Sequence, residues 1–136
     1  MSVFLDTNIL IYSVSDHPEE RRKRDIATDL IDNADCVLSV QVLQEFYFQV
    51  TRPSRATRLP PAMAGEFVRT WMRFPVQENT IALLTSAMEL SQRDRLSIWD
   101  ALIVAAAQVA GCEILMSEDL SHGQKFGQLH VENPFR

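Results

Sequence analysis

The chain has 136 residues, of which 46% are hydrophobic, and a formal net charge of −5. That size and composition predict one globular domain with its own core, spanning residues 1–136. No apolar run approaches the ~20 residues that cross a bilayer, and the N-terminus has no signal-peptide pattern, so we expect a soluble cytoplasmic protein with no membrane contact. The acidic balance argues against a nucleic-acid partner, because phosphates favour a basic surface, unless a bound cation offsets clustered carboxylates.

The first half of the chain alternates short apolar strands with amphipathic helices. Strands are predicted from Ser2 to Leu5 and over 36–40, and helices after Pro18 and over 40–51. The apolar residues at helical spacing are Ile26, Leu30 and Ile31 in the first helix, and Leu43, Phe46, Tyr47 and Val50 in the second. Pro53 ends the second helix, because proline cannot donate the hydrogen bond that a helix interior requires.

The second half of the chain continues the same alternation. Helices are predicted from Pro60 to Trp71, from Thr80 to Arg93, and over the almost wholly apolar segment 98–110. Short strands are predicted within 74–78, over 113–116 and near 129–131. Strands that alternate with helices imply right-handed crossovers, and therefore an α/β fold with a central parallel sheet of four to five strands flanked by α-helices.

Polar side chains directly follow the first strand in the sequence FLDTNIL, residues 4–10. In an open parallel sheet, ligands bind beyond the carboxyl ends of the strands, and Asp6 and Asp119 each follow a predicted strand closely. Glu45 lies on a helix face away from the apolar stripe, and Asp100 stands at the start of a helix so apolar that its body must be buried. We therefore expect these four carboxylates to converge.

Each acid also has a purely structural interpretation. Asp6 and Asp100 are suited to capping helix N-termini, Glu45 to a solvated helix face, and Asp119 to a turn. Taken singly, those interpretations are favoured. Convergence changes the balance, because close carboxylates repel one another and raise each other's pKa unless a cation neutralises them. Ligation by oxygen alone favours a hard ion such as Mg²⁺ or Mn²⁺ over zinc.

The same segments resemble the PIN-domain ribonucleases, in particular the VapC-like toxins of prokaryotic type II toxin-antitoxin systems. The segments FLDTNIL, the helix with Glu45, IWDALIVAAAQVAGC and ILMSEDLSHG follow that family's order and cover nearly the whole chain. The resemblance implies a PIN-like fold whose acids coordinate Mg²⁺ or Mn²⁺. It also implies a metal-dependent endoribonuclease that leaves 5′-phosphate and 3′-hydroxyl ends and acts as the toxin of a VapBC-type pair.

Carried over position by position, the resemblance also implies the site residues. The catalytic metal ligands would be Asp6, Glu45, Asp100 and Asp119. Thr7, Asn8 and Ser117 would supply hydrogen bonds to those ligands or to substrate. The family often has threonine where this chain has Ser117, a change that keeps the hydroxyl. Glu118 stands beside Asp119, but Asp119 keeps the motif's spacing from Ser117, so Glu118 is assigned an accessory role.

The remaining expectations concern partners. Arg52, Arg55 and Arg58 follow the helix with Glu45, and they either contact RNA phosphates or belong to a solvated loop. The resemblance implies a homodimer and a cognate antitoxin that wraps the toxin. The segment 63–74 is rich in bulky apolar groups, which suit either such a partner or the core.

Three other functions fit parts of the pattern. A haloacid-dehalogenase-type phosphatase also begins with a strand and an aspartate, but its motif has a second aspartate where this chain has Asn8. A non-catalytic PIN-like binding module would keep the fold, although its four unneutralised acids would destabilise it. A flap-nuclease-like DNA enzyme shares the chemistry and differs in its substrate.

Overall fold

The computed structural model describes all residues from Met1 to Arg136. The helices are α1 (Thr7–Ser13), α2 (Arg21–Asn33), α3 (Val40–Thr51), α4 (Pro61–Trp71), α5 (Ile81–Asp94) and α6 (Ile98–Val109), with a 3₁₀ turn at Pro18–Glu20. The strands are β1 (Ser2–Leu5), β2 (Asp35–Ser39), β3 (Val76–Gln77), β4 (Ile114–Met116), β5 (Lys125–Phe126) and β6 (Leu129–Glu132). None of the helices combines the length and apolar character that crossing a membrane would require.

The strands form one sheet in the order β3-β2-β1-β4-β6-β5, and every neighbouring pair is parallel except β5 and β6. The predicted α/β class with a central parallel sheet is confirmed. The sheet has six strands rather than four to five, because the antiparallel β5 adds to the predicted ones. β1 occupies an inner position between β2 and β4, so the residue that follows β1 emerges in the middle of the sheet's carboxyl edge.

Both faces of the inner strands are covered. Residues 3–5 of β1 and 36–39 of β2 are buried without alternation, which is the pattern of parallel strands with helices on both faces. Side chains cap the helices that follow: Ser39, Thr80 and Ser97 each accept a hydrogen bond from a backbone N–H in the first turn of α3, α5 and α6.

Two elements, α1 and β5, have no counterpart among the predicted ones. α1 contains seven residues and begins directly after Asp6, whose side chain caps it. It is too short to show a helical period, so the apolar run 9–11 is equally compatible with a strand. β5 contains two residues, which is below the length at which a sequence pattern identifies a strand.

An aromatic cluster joins α3 to α4. The ring of Phe46 is fully buried and lies edge-on to Trp71, with ring centroids 4.7 Å apart, while Phe67 stacks on Trp71 at 5.6 Å. Trp71 therefore belongs to the core, whereas Met63 and Met72 from the same apolar segment are exposed. This packing fixes α3, and with it Glu45, relative to the sheet.

Helix α5 carries apolar residues on two faces, of which one is buried. Leu83, Ala87 and Leu90 pack inside, while Ile81, Leu84 and Met88 are exposed, Ile81 by 85%. The exposed three are spaced at i, i+3 and i+7, so they share one side of the helix. The periodicity predicts the helix correctly but does not distinguish the covered face from the uncovered one.

Candidate metal-binding site

Asp6 lies at the centre of the sheet's carboxyl edge. The register pairs Leu5 with Met116, so Asp6 and Ser117 leave adjacent strands side by side. Asp6 is only 7% exposed. Its Oδ1 accepts a 2.7 Å hydrogen bond from the Thr7 N–H, and its Oδ2 accepts one of 2.7 Å from the Ser117 hydroxyl. Asp6 therefore caps α1 and also points its carboxylate at the edge where parallel sheets bind ligands.

Glu45 is held against the same edge through both of its oxygens. The Thr7 hydroxyl donates a 2.7 Å hydrogen bond to Oε2, and the side-chain amide of Gln41 donates one of 2.8 Å to Oε1. Thr7 is buried, as is Gln41. Because Thr7 follows Asp6 in the chain, this contact joins the first strand and α3 at the site.

Asp119 reaches the edge from the turn after β4. The Ser117 oxygen accepts hydrogen bonds from the N–H groups of Asp119 at 3.1 Å and Leu120 at 3.3 Å. Asn8 donates from its amide to the Asp119 carboxylate at 3.2 Å and accepts from the Glu118 N–H at 3.3 Å. The hydroxyl of Ser117 thus binds both Asp6 and this turn, and Asn8 holds the turn from the side of α1.

Asp100 occupies the third position of α6 and is partly buried. The capping interpretation of Asp100 is wrong, because Ser97 is the N-cap and its hydroxyl oxygen accepts the Asp100 N–H at 3.1 Å. The Asp100 carboxylate is therefore not needed to cap the N-terminus of α6. Burial raises its pKa, and the negative charges of Asp119 and Glu45 raise it further.

The carboxylates act on one another electrostatically. Burial raises the pKa of Asp6 to about 6, hydrogen bonds from Ser117 and Thr7 oppose that shift, and the charges of Asp119 and Glu45 add to it. The same two acids also act on Asp100. The structure thus places the four acids close enough for their charges to act on one another at one edge of the sheet.

The donor set fits a hard divalent cation in its chemistry. Every candidate ligand is a carboxylate oxygen, which is the donor that Mg²⁺ and Mn²⁺ prefer. As the side chains are placed, no three His, Cys, Asp or Glu residues surround a common point at ligand distance. The hydrogen bonds from Thr7, Gln41, Ser117 and Asn8 orient the carboxylates in the way that partners of metal ligands do.

The Glu118 carboxylate binds side chains of α1 and α2, although Glu118 neighbours Asp119 in the chain and lines the same surface depression. Its carboxylate accepts a 2.6 Å hydrogen bond from the Tyr12 hydroxyl and forms an ion pair with Lys23 on α2. Burial acts to raise its pKa, but the hydrogen bonds from Lys23 and Tyr12 outweigh it and hold the pKa below the ordinary value. Sequence patterns do not identify Tyr12 and Lys23 as partners of Glu118, because 106 and 95 residues separate them from it. Glu118 anchors the turn that presents Asp119.

A polar groove of about 420 Å³ opens beside Asp119 and Asn8. Arg52 and Arg55 line it, whereas Arg58 is exposed and does not. The groove places two arginines beside the acidic edge, and the carboxylates of Glu20 and Glu118 line it as well. Of the three arginines predicted to contact phosphates, two are therefore next to the acids.

The part of the chain that builds this edge of the sheet also matches a known protein family. A model of the PIN domain matches residues 3–124. The chain belongs to the PIN domain family. That match spans all four acids of the site. Among proteins with curated descriptions, none matches this PIN domain in sequence.

Solved structures share the PIN fold of this chain over most of its length. VapBC2 from Rickettsia felis, bound to a DNA fragment from their promoter, is 19% identical with a TM-score of 0.65 over 98% of each chain. VapC20 of Mycobacterium tuberculosis, a sarcin-ricin loop cleaving toxin, is 21% identical with a TM-score of 0.66, covering 86% of this chain and 91% of that chain. A toxin-antitoxin complex from Klebsiella pneumoniae is 20% identical with a TM-score of 0.66 over 97% of each chain. The predicted PIN-like fold is confirmed.

Proposed function

We propose that this PIN domain is a metal-dependent endoribonuclease and the toxin of a VapBC-type pair. The observation that carries the proposal is the buried carboxylate of Asp6, whose pKa is raised to about 6 beside Glu45 and Asp119. Burial is the largest cause of that shift and the charges of Asp119 and Glu45 add to it, so a divalent cation bound beside the Asp6 carboxylate would favour its charged form. The shared fold with VapC20, a toxin that cleaves the sarcin-ricin loop, supports RNA as the substrate.

The residues at this edge have two proposed roles, as metal ligands and as hydrogen-bond partners that hold those ligands. The proposed ligands of Mg²⁺ or Mn²⁺ are Asp6, Glu45, Asp100 and Asp119. When bound, such an ion lowers the pKa of a water molecule and stabilises charge on phosphate oxygens. Thr7 and Ser117 hold Glu45 and Asp6 in place by hydrogen bonds, and Asn8 does the same for Asp119. The carboxylates would therefore bind and orient the metal ion, and none of them needs to attack the phosphate.

Cleavage of total RNA by the purified protein tests the proposal. We expect discrete products with Mg²⁺ or Mn²⁺, none with chelator, and a loss of at least ~100-fold in Asp100→Asn, since losing even a partner of a metal ligand costs up to that much. Asp32→Asn is the matched control, because Asp32 is an exposed aspartate on α2 outside the site. Absence of cleavage by folded protein free of antitoxin would favour the non-catalytic binding module.

Arg52 and Arg55 are proposed to contact phosphates of the RNA strand that enters the polar groove. We expect the double substitution Arg52→Ala with Arg55→Ala to raise KM about tenfold and leave kcat nearly unchanged, because phosphate contacts bind substrate without taking part in hydrolysis. The salt dependence of log KM should weaken by about 0.7 for each lost contact with a single strand.

Arg58→Ala is the matched control for the arginine pair, because Arg58 lies in the same loop but outside the groove. It should change KM by less than about twofold, as expected for a screened surface charge. Equal effects of Arg58→Ala and of the double substitution would show that the loop acts through its overall charge. That result would contradict the assignment of the groove.

A cognate antitoxin is proposed to occupy the apolar groove of about 780 Å³ between α3, α4 and β3. Leu43 and Tyr47 line it from α3, and Val68 and Met72 from α4, so part of the predicted segment 63–74 faces this groove while Trp71 serves the core. Grooves of this kind accept an amphipathic segment of a partner.

The proposed homodimer has the exposed face of α5 available as apolar surface.

A further inference from the structure

Trp99 is the largest exposed apolar side chain next to the acidic edge. The chain has two tryptophans, of which Trp71 is 4% exposed in the core while Trp99 is 64% exposed. Trp99 directly precedes Asp100 in the first turn of α6. A large aromatic ring in solvent at that position is not explained by core packing.

The backbone of Trp99 is fixed relative to the site. Its carbonyl accepts a 3.2 Å hydrogen bond from the side-chain amide of Gln41, and the same nitrogen donates to Glu45 at 2.8 Å. The Trp99 carbonyl and the Glu45 carboxylate are therefore no more than about 6 Å apart. The Ser97 cap fixes the same turn through the Asp100 N–H. The indole thus projects into solvent from a backbone that is tied to two of the four acids.

The acidic edge consequently has a different surface on each flank. The polar groove with Arg52 and Arg55 adjoins Asp119, and Trp99 is not part of that groove. The backbone of Trp99 lies next to Asp100 in the chain and is linked to Glu45 through the side-chain amide of Gln41. A strand of nucleic acid that crosses the acids would meet two arginine side chains on one flank and an aromatic residue on the other, and single strands are bound by cationic side chains together with aromatic rings.

We propose that the indole of Trp99 stacks against a nucleobase of single-stranded RNA that lies next to the phosphate being cleaved. This inference rests on the proposed nuclease function and adds a base contact to it. Stacking is tolerant of sequence because every base has a π-face. Trp99 is accordingly a substrate-binding residue that selects unpaired over paired RNA, because a base within a duplex does not expose its face.

Steady-state kinetics on a short single-stranded RNA test the proposal. We expect Trp99→Ala to raise KM about tenfold with kcat changed by less than about twofold, and Trp99→Leu to behave like Trp99→Ala. Trp99→Phe keeps an aromatic face and should recover most of the loss. Val109→Ala is the control, because Val109 is an exposed apolar residue at the other end of the same helix, and its KM should equal that of the unsubstituted protein.

Tryptophan fluorescence provides a second reading that does not depend on turnover. In the Asp6→Asn background with Mg²⁺, RNA should quench the emission of Trp99 and protect it from acrylamide, whereas buried Trp71 is shielded throughout. The RNA-dependent change should vanish in Trp99→Phe. Both readings report contact between the base and this ring, which a structural role for Trp99 would not produce.

Two results would overturn the stacking proposal, and they differ from a failure of the proposed function. Normal cleavage with unchanged KM in Trp99→Ala removes the stacking role and leaves the nuclease intact. The same unchanged KM together with lost self-association in sedimentation would identify Trp99 as part of a protein interface instead. Absence of RNA cleavage by the unsubstituted protein would overturn the nuclease function and the stacking role together.

Discussion

Replacing Asp6 by asparagine is expected to raise the free energy of unfolding of the metal-free protein by about 2 kcal/mol at pH 8, while it removes metal-dependent cleavage. The Asp6 carboxyl has a pKa of about 6 in the folded protein against an ordinary value of 3.8, so ionising it in the fold is unfavourable by about 3 kcal/mol. Asparagine has one acceptor oxygen instead of two and forfeits a hydrogen bond worth about 1 kcal/mol. The difference between these two free energies, about 2 kcal/mol, is the expected gain in the free energy of unfolding.

The sign of this effect depends on pH in a defined window. Below about pH 4 the carboxyl is protonated in both the folded and the unfolded chain, so Asp6 contributes no penalty. Between about pH 4 and 6 the unfolded chain ionises first, and the folded state is destabilised as pH rises. Above about pH 6 the penalty is complete and constant. The advantage of Asp6→Asn should therefore grow through this window and level off above it.

Urea unfolding in chelator at a series of pH values measures the difference. Asp32→Asn serves again as control, because Asp32 is exposed and should show no such dependence. Adding Mg²⁺ should stabilise the unsubstituted protein more than Asp6→Asn, since a ligand that binds only the folded state stabilises it. A lower stability of Asp6→Asn at pH 8, or a difference that does not vary with pH, would contradict the assignment of Asp6 as a buried carboxylate with a raised pKa.

Ser117→Ala is expected to lower the free energy of unfolding by about 2–3 kcal/mol and metal-dependent activity by 10–100-fold. The fully buried hydroxyl donates to Asp6 and accepts from the N–H groups of Asp119 and Leu120. Alanine leaves the Asp6 carboxylate without this donor, and the N–H groups of Asp119 and Leu120 without this acceptor. The pKa of Asp6 should rise further, because the Ser117 hydrogen bond lowers it.

Ser117→Thr is the matched variant for this prediction, because it keeps the hydroxyl and adds a methyl group. Overpacking by that methyl group lowers stability, so activity is compared per folded molecule, as measured by near-ultraviolet circular dichroism. We expect Ser117→Thr to retain most of the activity that Ser117→Ala loses. Unchanged metal affinity and activity in Ser117→Ala would show that the hydroxyl does not hold the acids in their working orientation.

Local patterns in the sequence were sufficient for most of the framework. Hydrophobic runs located β1, β2 and β4, helical spacing located α3 and α5, and prolines at the start marked α4. These signals are local because burial of a strand or of a helix face leaves its period in the chain itself. The short α1 and β5 were not predicted, since their seven and two residues are too few to show a helical or a strand period.

The acids illustrate a different limit. Asp6, Glu45, Asp100 and Asp119 could be proposed as one cluster because each stands at a recognisable place relative to a strand or helix end. Their hydrogen-bond partners could not, because the contact between Ser117 and Asp6 spans 111 residues and the contact between Thr7 and Glu45 spans 38. Such pairs form only when β1, β4 and α3 are packed side by side.

The sequence by itself determined the α/β class and the order of most elements, because these depend on residue type and short-range spacing. It also singled out the four acids that are proposed as the site. Only the tertiary structure decided that Glu118 faces Lys23 and Tyr12 rather than the acids, that Arg52 and Arg55 line the polar groove without Arg58, and that Trp99 stays in solvent. The physical reason is that the direction of a side chain depends on the surfaces packed around it, and residues far apart in the chain supply those surfaces.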